Sequence, residues 1–449
     1  MKKIFQYIML AVVTIVMASC TSDIEETTAT TGKSNVQLVV DEFPAFGDSQ
    51  TRAIGTQDEG KTSWAEGDEL LLEIDNTSYG RHNATFTYNG KSWELTSGEL
   101  VYLEGDPAYI SHVYYAPNYK WSNTSLMLKK GKVAGTDELI EGKARITGNG
   151  ETITVSFAEA TRKYSRLRIA TLPNEQITVD TEYFTPAGSS DMEQNGNYTL
   201  TSDEKGNAYL YGTFENNSEV TVKYREAALT TYTFSQATES AKSYALDATV
   251  ISANSAEEIK SAIEQKVADG KTTIRLNLAP NAGTNEFMAI REAIKGAAPN
   301  DLGTIELTII GVETIPEEAF YKMLQLKSVR MSDVKEIKKY AFKECQYLTV
   351  VEAPSLNKLY SGAFKKCDQL SKLTFGPINY ADARNWPIFE YITPNIDLIL
   401  SDYQKEMIET DDNLYTANND IDYADSNKHW NKNFLGREFK SITCRFKVE

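Results

Sequence analysis

The sequence predicts a multidomain protein in which an all-β sandwich region is followed by an α/β solenoid. Two patterns favour this fold class. Short apolar runs with period two fill residues 36–250, separated by Gly, Asn, Asp and Pro. Seven apolar columns then recur three times, 22 residues apart, between residues 312 and 376. The length of 449 residues allows about three domains, and a hydrophobic content of 41% is that of a globular protein.

Residues 1–19 have the pattern of a secretory signal peptide. Lys2 and Lys3 precede an uncharged, mostly apolar run that is too short to span a bilayer comfortably. Small residues before Cys20 resemble the lipobox of bacterial lipoproteins, which implies cleavage before Cys20 and lipidation of its thiol. The alternative is an ordinary cleavage site with a chance cysteine. No later segment is long and apolar enough for a transmembrane helix, so the lipid would be the only membrane anchor.

Residues 20–35 predict a flexible tether, because they are small and polar. Asp23, Glu25 and Glu26 resemble the acidic signal that sends some Gram-negative lipoproteins to the outer face of the outer membrane. The alternative is a plain hydrophilic linker. The resemblance implies a protein that is lipid-anchored in the outer membrane and faces the extracellular side.

Residues 36–250 predict antiparallel β-sandwiches, with domains at 36–160 and 161–250. Tyr and Thr are abundant, as strands prefer, and no helical period is convincing. The stretch is long for one sandwich, and a break near 159–165 would divide it in two. The clearest strand segments are Val36–Val40, Leu70–Ile74, Thr152–Phe157, Arg166–Ile169 and Val220–Tyr224.

Three motifs in this region resemble fimbrillin-like proteins, which are two-domain β-sandwich lipoproteins that form or decorate surface fimbriae. They are T-R-A around Arg52, W-x-x-G-D beginning at Trp64, and Y-Y-A-P beginning at Tyr114. Residues 157–169 resemble the region joining the two domains, although the usual His after the Phe is absent. The resemblance implies that a trypsin-like protease cuts after Arg52 and opens a groove for a strand of the next subunit. The alternative is an ordinary exposed arginine.

The repeat in the second half keeps its columns apolar while the residues between them vary and are mostly charged, as in coils that each bury the same set. These columns resemble the BspA-type leucine-rich repeat of bacterial surface proteins over residues 312–376. The three units are Val312, Ile315, Ala319, Phe320, Met323, Leu326 and Val329; Val334, Ile337, Ala341, Phe342, Cys345, Leu348 and Val351; and Leu356, Leu359, Ala363, Phe364, Cys367, Leu370 and Leu373.

Less regular units flank the three repeats. In residues 251–311, a capping box at Ser255 predicts the start of a helix that ends at Gly270, and a second helix–strand pair follows. Residues 377–449 predict a C-terminal cap, with a last strand at 396–400. Its closing apolar residues are Trp430, Phe434, Phe439 and Ile442.

The candidate binding surface is the face of the repeat strands that points away from the core. A row of exposed side chains on parallel strands offers a contact surface, and the alternative is a solvated face without a partner. Its predicted members are Ser328, Arg330, Val350, Glu352, Lys372 and Thr374.

Charge bears on the class of partner. The net charge of −17 argues against nucleic acid and anionic lipid surfaces. Residues 312–375 nevertheless hold eleven Lys/Arg and eight Asp/Glu, which would favour an acidic partner such as a sialylated glycan or mucin. Ordinary surface scatter is the alternative.

Other features are weaker. Cys345 and Cys367 share a column and either pack as small apolar residues or form a disulfide. The acidic segment 411–425 lacks the glycine and bidentate glutamate of an EF-hand loop, and the aromatic residues of the N-terminal half fit a sandwich core better than a sugar platform. We expect no metal, no cofactor and no enzymatic activity, because no catalytic motif is present and neither resembled family is enzymatic. A hydrolase built on two carboxylates is the alternative, since Asp and Glu are plentiful.

We therefore expect an adhesin or ligand-binding module that acts through its repeats on an unknown host or bacterial surface protein or glycan. One alternative is a fimbrial accessory or tip subunit assembled by donor-strand addition after cleavage at Arg52. A second alternative is a glycan-binding surface lipoprotein of a polysaccharide uptake system.

Overall fold

A computed structural model of the protein describes residues 37–44, 46, 61–76, 80–99, 108–147, 152–157, 162–225, 227–253, 255–381, 388–392, 395–401, 433–435 and 437–446. The predicted signal peptide and tether, with Cys20, lie outside these residues, and so do Arg52, the acidic segment 411–425 and Trp430. Within the described part the chain is mostly β-sheet, with thirty strands and two helices.

The chain divides into two compact units. The first comprises Met1–Ala45, Glu59–Lys132 and Glu138–Lys163, and the second comprises Phe46–Asp58, Val133–Asp137 and Tyr164–Glu449. The second unit therefore contains both a β-sheet region and the whole repeat region.

The first unit is built on a seven-stranded sheet in the order β1-β9-β8-β5-β2-β3-β4, and β6 and β7 form a separate hairpin. Residues 140–142 of β8 pair with β5, whereas residues 143–147 pair with β9. Its strands are β1 (Gln37–Val40), β2 (Glu69–Asn76), β3 (Gly80–Tyr88), β4 (Trp93–Gly98), β5 (Ala108–Tyr115), β6 (Tyr119–Ser122), β7 (Ser125–Leu128), β8 (Ile140–Thr147) and β9 (Thr152–Ser156).

The W-x-x-G-D motif packs its tryptophan against the edge of this unit's core. The Trp64 ring lies 4.8 Å from the ring of Phe43 and 5.1 Å from that of Trp93, in edge-on contacts, and its indole N–H donates to the carbonyl oxygen of Asp41 at 2.9 Å. Gly67 has φ +90° and Asp68 accepts a hydrogen bond from the Ala65 N–H at 2.7 Å. The motif is thus a tight turn that brings an aromatic anchor onto the core before β2 begins.

The β region of the second unit forms another seven-stranded sheet. Its main order is β15-β14-β11-β13-β10-β16, and β12 pairs with β11. Residues 178–181 of β11 pair with β14 and residues 184–186 pair with β13, with Tyr183 at φ 50° between them. Its strands are β10 (Ser165–Ala170), β11 (Gln176–Pro186), β12 (Glu193–Thr201), β13 (Asn207–Phe214), β14 (Glu219–Tyr224), β15 (Ala227–Thr233) and β16 (Ser243–Asp247). Strands that change partners allow one sheet to enclose a core, so the multi-sheet N-terminal region is consistent with the predicted sandwich class.

The repeat region begins with two helix–strand units. The Ser255 hydroxyl accepts a hydrogen bond from the Glu258 N–H at 3.2 Å and caps the first helix, and Gly270, at φ +72°, follows its end. The elements are β17 (Ile251–Ala253), α1 (Ala256–Ala268), β18 (Thr273–Leu278), α2 (Thr284–Ala297) and β19 (Ile305–Ile310).

The remaining strands extend two parallel sheets. An eight-stranded sheet runs in the order β17-β18-β19-β21-β23-β25-β27-β30, and four two-residue strands form a second sheet in the order β20-β22-β24-β26. These strands are β20 (Thr314–Ile315), β21 (Leu326–Arg330), β22 (Glu336–Ile337), β23 (Val350–Ala353), β24 (Lys358–Leu359), β25 (Lys372–Phe375), β26 (Tyr380–Ala381), β27 (Asp397–Ser401), β28 (Asn433–Phe434), β29 (Arg437–Glu438) and β30 (Ser441–Phe446).

All twenty-one predicted column residues are buried between these two sheets. We call the 22-residue units that begin at Val312, Val334 and Leu356 the first, second and third coils. Phe320, Phe342 and Phe364 are 0% exposed, and their rings stack from coil to coil at 5.1 Å and 5.4 Å. The equal spacing of the columns in sequence therefore becomes an equal position in successive coils.

Cys345 and Cys367 are free, buried thiols. The Cys345 thiol donates to the carbonyl oxygen of Phe320 at 2.9 Å, and the Cys367 thiol donates to that of Phe342 at 3.0 Å. They fill the position that Met323 occupies in the first coil, as small apolar residues do.

Candidate binding surface of the repeat region

The predicted strand-face residues form two adjacent rows across three parallel strands. Ser328, Val350 and Lys372 are in register on β21, β23 and β25. Arg330, Glu352 and Thr374 form the neighbouring row. The residues between the rows are buried, so all six side chains lie on the side of the sheet opposite the core.

The charges on this face pair mainly with each other. The Arg330 Nε lies 2.9 Å from one Glu352 carboxylate oxygen, and the Lys372 Nζ lies 4.0 Å from the other. One carboxylate on the second coil thus faces a cation on each side. Ser328 and Thr374 are half-buried hydroxyl residues beside them. The charged side chains of this face are joined by ion pairs and leave a small net positive charge.

The β region of the same unit covers the first strands of this face. In the second row, Arg275 and Thr308 precede Arg330, and both are buried. The Arg275 Nε–H donates to the Leu229 carbonyl oxygen at 2.7 Å, and its guanidinium lies 3.9 Å from the Asp247 carboxylate. The open part of the face therefore begins at Arg330.

A second candidate surface lies on the turns that follow the two-residue strands. We call Tyr321, Lys339, Tyr340 and Lys343 the lysine–tyrosine edge. The Lys339 and Lys343 ammonium groups each lie 4.8 Å from the centroid of the Tyr340 ring, and Lys343 also lies 5.0 Å from that of Tyr321. The edge thus combines two cations with two aromatic rings.

The repeat itself builds this edge. Glu318, Tyr340 and Gly362 occupy one column of the turn, with φ values of 55°, 58° and 64°. A Cβ atom on Gly362 would lie 2.4 Å from Cε1 of Tyr340, so the ring needs the space that this glycine leaves. The Phe342 N–H donates to the Ala363 carbonyl oxygen at 2.8 Å and fixes the turn of the second coil on that of the third.

Two lysines that neighbour the edge are paired with carboxylates. The Lys322 Nζ lies 3.5 Å from a Glu344 carboxylate oxygen, and the Lys365 Nζ lies 2.5 Å from one of Glu390. The bond to Glu390 raises the pKa of Lys365. Among the described residues, no carboxylate lies within 4.0 Å of the ammonium group of Lys339 or Lys343. An anionic ligand would meet two cations without an internal competitor.

The lysine–tyrosine edge is not among the residues predicted from the sequence. The basic excess of residues 312–375 is visible there, but the predicted contact surface lies on the strands. The turn column Tyr321/Lys343/Lys365 contained part of the signal, because it places one ring and two cations at the 22-residue spacing.

No helix in the described part of the chain is both long and apolar enough to cross a membrane. No group of three His, Cys, Asp or Glu side chains that could hold a metal ion occurs among the residues whose positions are given.

The repeat region matches a known family. Residues 302–402 match the BspA type Leucine rich repeat region, in six copies, which confirms the predicted BspA-type repeat and extends it on both sides of 312–376. No curated protein matches the chain.

One of the solved structures that the chain matches is the minor pilin GBS52 of the Gram-positive pathogen Streptococcus agalactiae. It is 9% identical over 48% of this chain and 94% of its own, with a TM-score of 0.17. A TM-score this low does not establish a shared fold.

Proposed function

We propose that this chain is a non-enzymatic surface adhesin that binds an acidic glycan through the lysine–tyrosine edge of its repeat region. The carrying observation is that two ammonium groups share the Tyr340 ring while no described carboxylate pairs with them. The BspA-type repeat supports a role at the bacterial surface. In this proposal the repeats form a solenoid, and Cys20 carries the lipid that holds the protein on the extracellular side of the outer membrane.

The charge distribution supports an acidic partner. The chain carries −17 overall, so an anionic ligand is repelled from most of the molecule and attracted where cations collect. The strand face is the weaker of the two surfaces, because Glu352 already pairs with its cations. We therefore assign the contact to the turns rather than to Ser328, Arg330, Glu352, Lys372 and Thr374.

The test is a glycan array with the chain from residue 21 onward. We expect sialylated or sulfated glycans to bind and their neutral counterparts not to bind. Lys339→Gln with Lys343→Gln should weaken binding about tenfold, the equivalent of about 1.4 kcal/mol. High salt should weaken it as well.

The matched control is Lys327→Gln with Lys335→Gln. These lysines belong to the same repeats but pair with Glu306 at 2.8 Å and Glu313 at 2.5 Å. The control removes the same charge and should retain most of the binding. Equal binding of neutral and acidic glycans, or equal losses in the two double variants, would overturn the assignment.

A fimbrial subunit is the second candidate function, and one observation favours it. β1 lies at the edge of the first unit's sheet, parallel to β9, and precedes Arg52 in the chain. Its Leu38 and the following Phe43 are buried in the core. Cleavage after Arg52 would remove both side chains and leave the β9 edge open for a strand from another subunit.

Mass spectrometry of the cell-surface form tests both the anchor and the fimbrial candidate. A mature chain that begins at a lipid-modified Cys20 supports the anchored adhesin. A mature chain that begins at Ala53 supports the fimbrial subunit. Detection of Cys20 as the sole start would reject donor-strand assembly.

A further inference from the structure

A small aromatic cleft lies in the β region of the second unit, between the end of β15 and the start of β16. Its volume is about 290 Å³, just below the range of about 300–1,000 Å³ for drug-sized ligands, which suits a smaller ligand. The chain that connects the two strands forms its wall, so neighbouring residues in sequence line it. The residues that matter here are Tyr232, Phe234, Gln236, Glu239, Lys242 and Tyr244.

The three rings give the cleft a floor and upright sides. Phe234 is 4% exposed and forms the floor. The Tyr232 ring stands at 86° to it with centroids 5.0 Å apart, and the Tyr244 ring stands at 81° with centroids 5.9 Å apart. Tyr232 is 47% exposed, although large apolar rings are usually covered in a folded protein. A ring held upright and open to solvent suits stacking against a flat ligand with an apolar face.

The wall of the cleft is held in place before any ligand arrives. The Glu239 N–H donates to the Tyr244 hydroxyl at 3.0 Å, and the Thr238 N–H donates to the Phe214 carbonyl oxygen at 2.9 Å. The Ala241 N–H donates to the Tyr164 carbonyl oxygen at 3.1 Å. Because the wall is already ordered, ligand binding costs little conformational entropy, which favours binding of small ligands that make few contacts.

The polar side chains of the cleft are available. Within the described residues, the Gln236 amide, the Glu239 carboxylate and the Lys242 ammonium group make no hydrogen bond or ion pair. Together they offer several donors and acceptors, with one charge of each sign. This mixture suits a neutral ligand with adjacent hydroxyl groups, since a single lysine beside a carboxylate is a poor phosphate or sulfate site.

We propose that this cleft binds one neutral pyranose unit of a glycan. The sugar's C–H face would stack on Tyr232 while its hydroxyl groups bond to Gln236, Glu239 and Lys242. The cleft is separate from the lysine–tyrosine edge, and its ligand needs no acidic group. It gives the chain a second, chemically different, way of recognising carbohydrate.

The test is saturation-transfer NMR on the chain from residue 21 onward. The probes are the methyl glycosides of glucose, galactose, mannose and N-acetylglucosamine, with triglycine as the peptide control, each at about 10 mM to detect millimolar affinity. We expect transfer to at least one glycoside and none to triglycine.

Variants locate the site. Tyr232→Ala should weaken binding about tenfold through loss of the ring contact, and Gln236→Ala should weaken it several-fold. Tyr380→Ala removes a ring of similar exposure, 40%, from the repeat region and should have no effect. Circular dichroism checks that all three variants remain folded.

The outcomes separate this proposal from the proposed function. Lys339→Gln with Lys343→Gln should leave glycoside binding unchanged, because those lysines belong to the edge. Absence of transfer to every glycoside would overturn the cleft proposal, and so would stronger transfer to triglycine or equal losses in Tyr232→Ala and Tyr380→Ala.

Discussion

Replacing Phe342 with alanine should lower the stability of the repeat region more than a conservative substitution of Phe342 or a substitution at an exposed position of the same coil. The ring is 0% exposed and stacks between those of Phe320 and Phe364, at 5.1 Å and 5.4 Å. Phe342→Ala therefore removes buried apolar surface, leaves a cavity between two sheets and deletes two ring contacts at once.

The expected loss is about 4–5 kcal/mol in the free energy of unfolding. Truncating a buried phenylalanine costs about 3–5 kcal/mol, and ring pairs add about 0.5–1.5 kcal/mol each beyond burial. Phe342→Leu keeps most of the apolar volume and loses only the rings, so we expect about 1–2 kcal/mol. Gln346→Ala changes an exposed residue of the same coil and should stay within about 0.5 kcal/mol.

Hydrogen-exchange mass spectrometry is the suitable assay, because a chain with two compact units need not unfold in one step. Peptides that cover β21, β23 and β25 report the opening free energy of the coils themselves. The reasoning is wrong if Phe342→Ala lowers their protection no more than Gln346→Ala, or if Phe342→Leu equals Phe342→Ala.

Three further predictions follow from the second unit. Gly362→Ala should destabilise the third coil by about 1–2 kcal/mol and displace Tyr340, because a Cβ atom would lie 2.4 Å from that ring at φ +64°; hydrogen exchange and binding of acidic glycans measure the two effects. Burial raises the pKa of Asp247. Hydrogen bonds from Thr249 and the positive charges of the nearby Lys266 and Arg275 have a larger, opposite effect and hold the pKa below its ordinary value of 3.8. Its stabilising contribution is therefore present above pH 3.8 and lost as the pH falls through the folded-state pKa, and Asp247→Asn should abolish this part of the acid sensitivity of β16–β18 exchange. Burial raises the pKa of the Cys345 thiol to about 12 and that of Cys367 well above its usual value, so iodoacetamide at pH 8 should label both only after unfolding.

Controls separate these effects from general destabilisation. Gly67→Ala also faces a positive φ, of 90°, but meets open space, so it isolates the cost of the backbone conformation. Gly362→Ala combined with Tyr340→Ala should recover the part that comes from the clash. Rapid labelling of Cys345 in the native chain would contradict its burial, and so would an unaltered pH dependence in Asp247→Asn.

The burial of the repeat columns could be predicted from the sequence, because equal spacing requires equal environments. Phe320, Phe342 and Phe364 are 22 residues apart, and a side chain that meets its own copy in the next coil leaves little freedom in register. The start of α1 could also be predicted, because it depends on neighbouring residues alone. The Ser255 hydroxyl accepts a hydrogen bond from the N–H three residues further on.

Contacts between distant segments could not be predicted in this way. Arg275 looks like an exposed strand residue in sequence, yet it is buried by Leu229 and Asp247 of the β region. The lysine–tyrosine edge depends on Gly362, which makes room for a ring that belongs to another coil. The cleft at Tyr232 depends on where the chain returns in β16. Each is decided by tertiary packing, which overrides local propensity.

Salt links between the coils constrain how this region can change in length. Among the described residues, four ion pairs join positions 22 apart, namely Lys322–Glu344, Arg330–Glu352, Lys335–Glu313 and Lys358–Glu336. An insertion of any length other than 22 residues would shift the register between coils, so that paired charges no longer face each other and different columns lie side by side. Duplication or loss of a whole module preserves every facing pair. Length variants of this region should therefore differ by multiples of 22 residues, and genetic change can extend its rows of exposed side chains in whole modules.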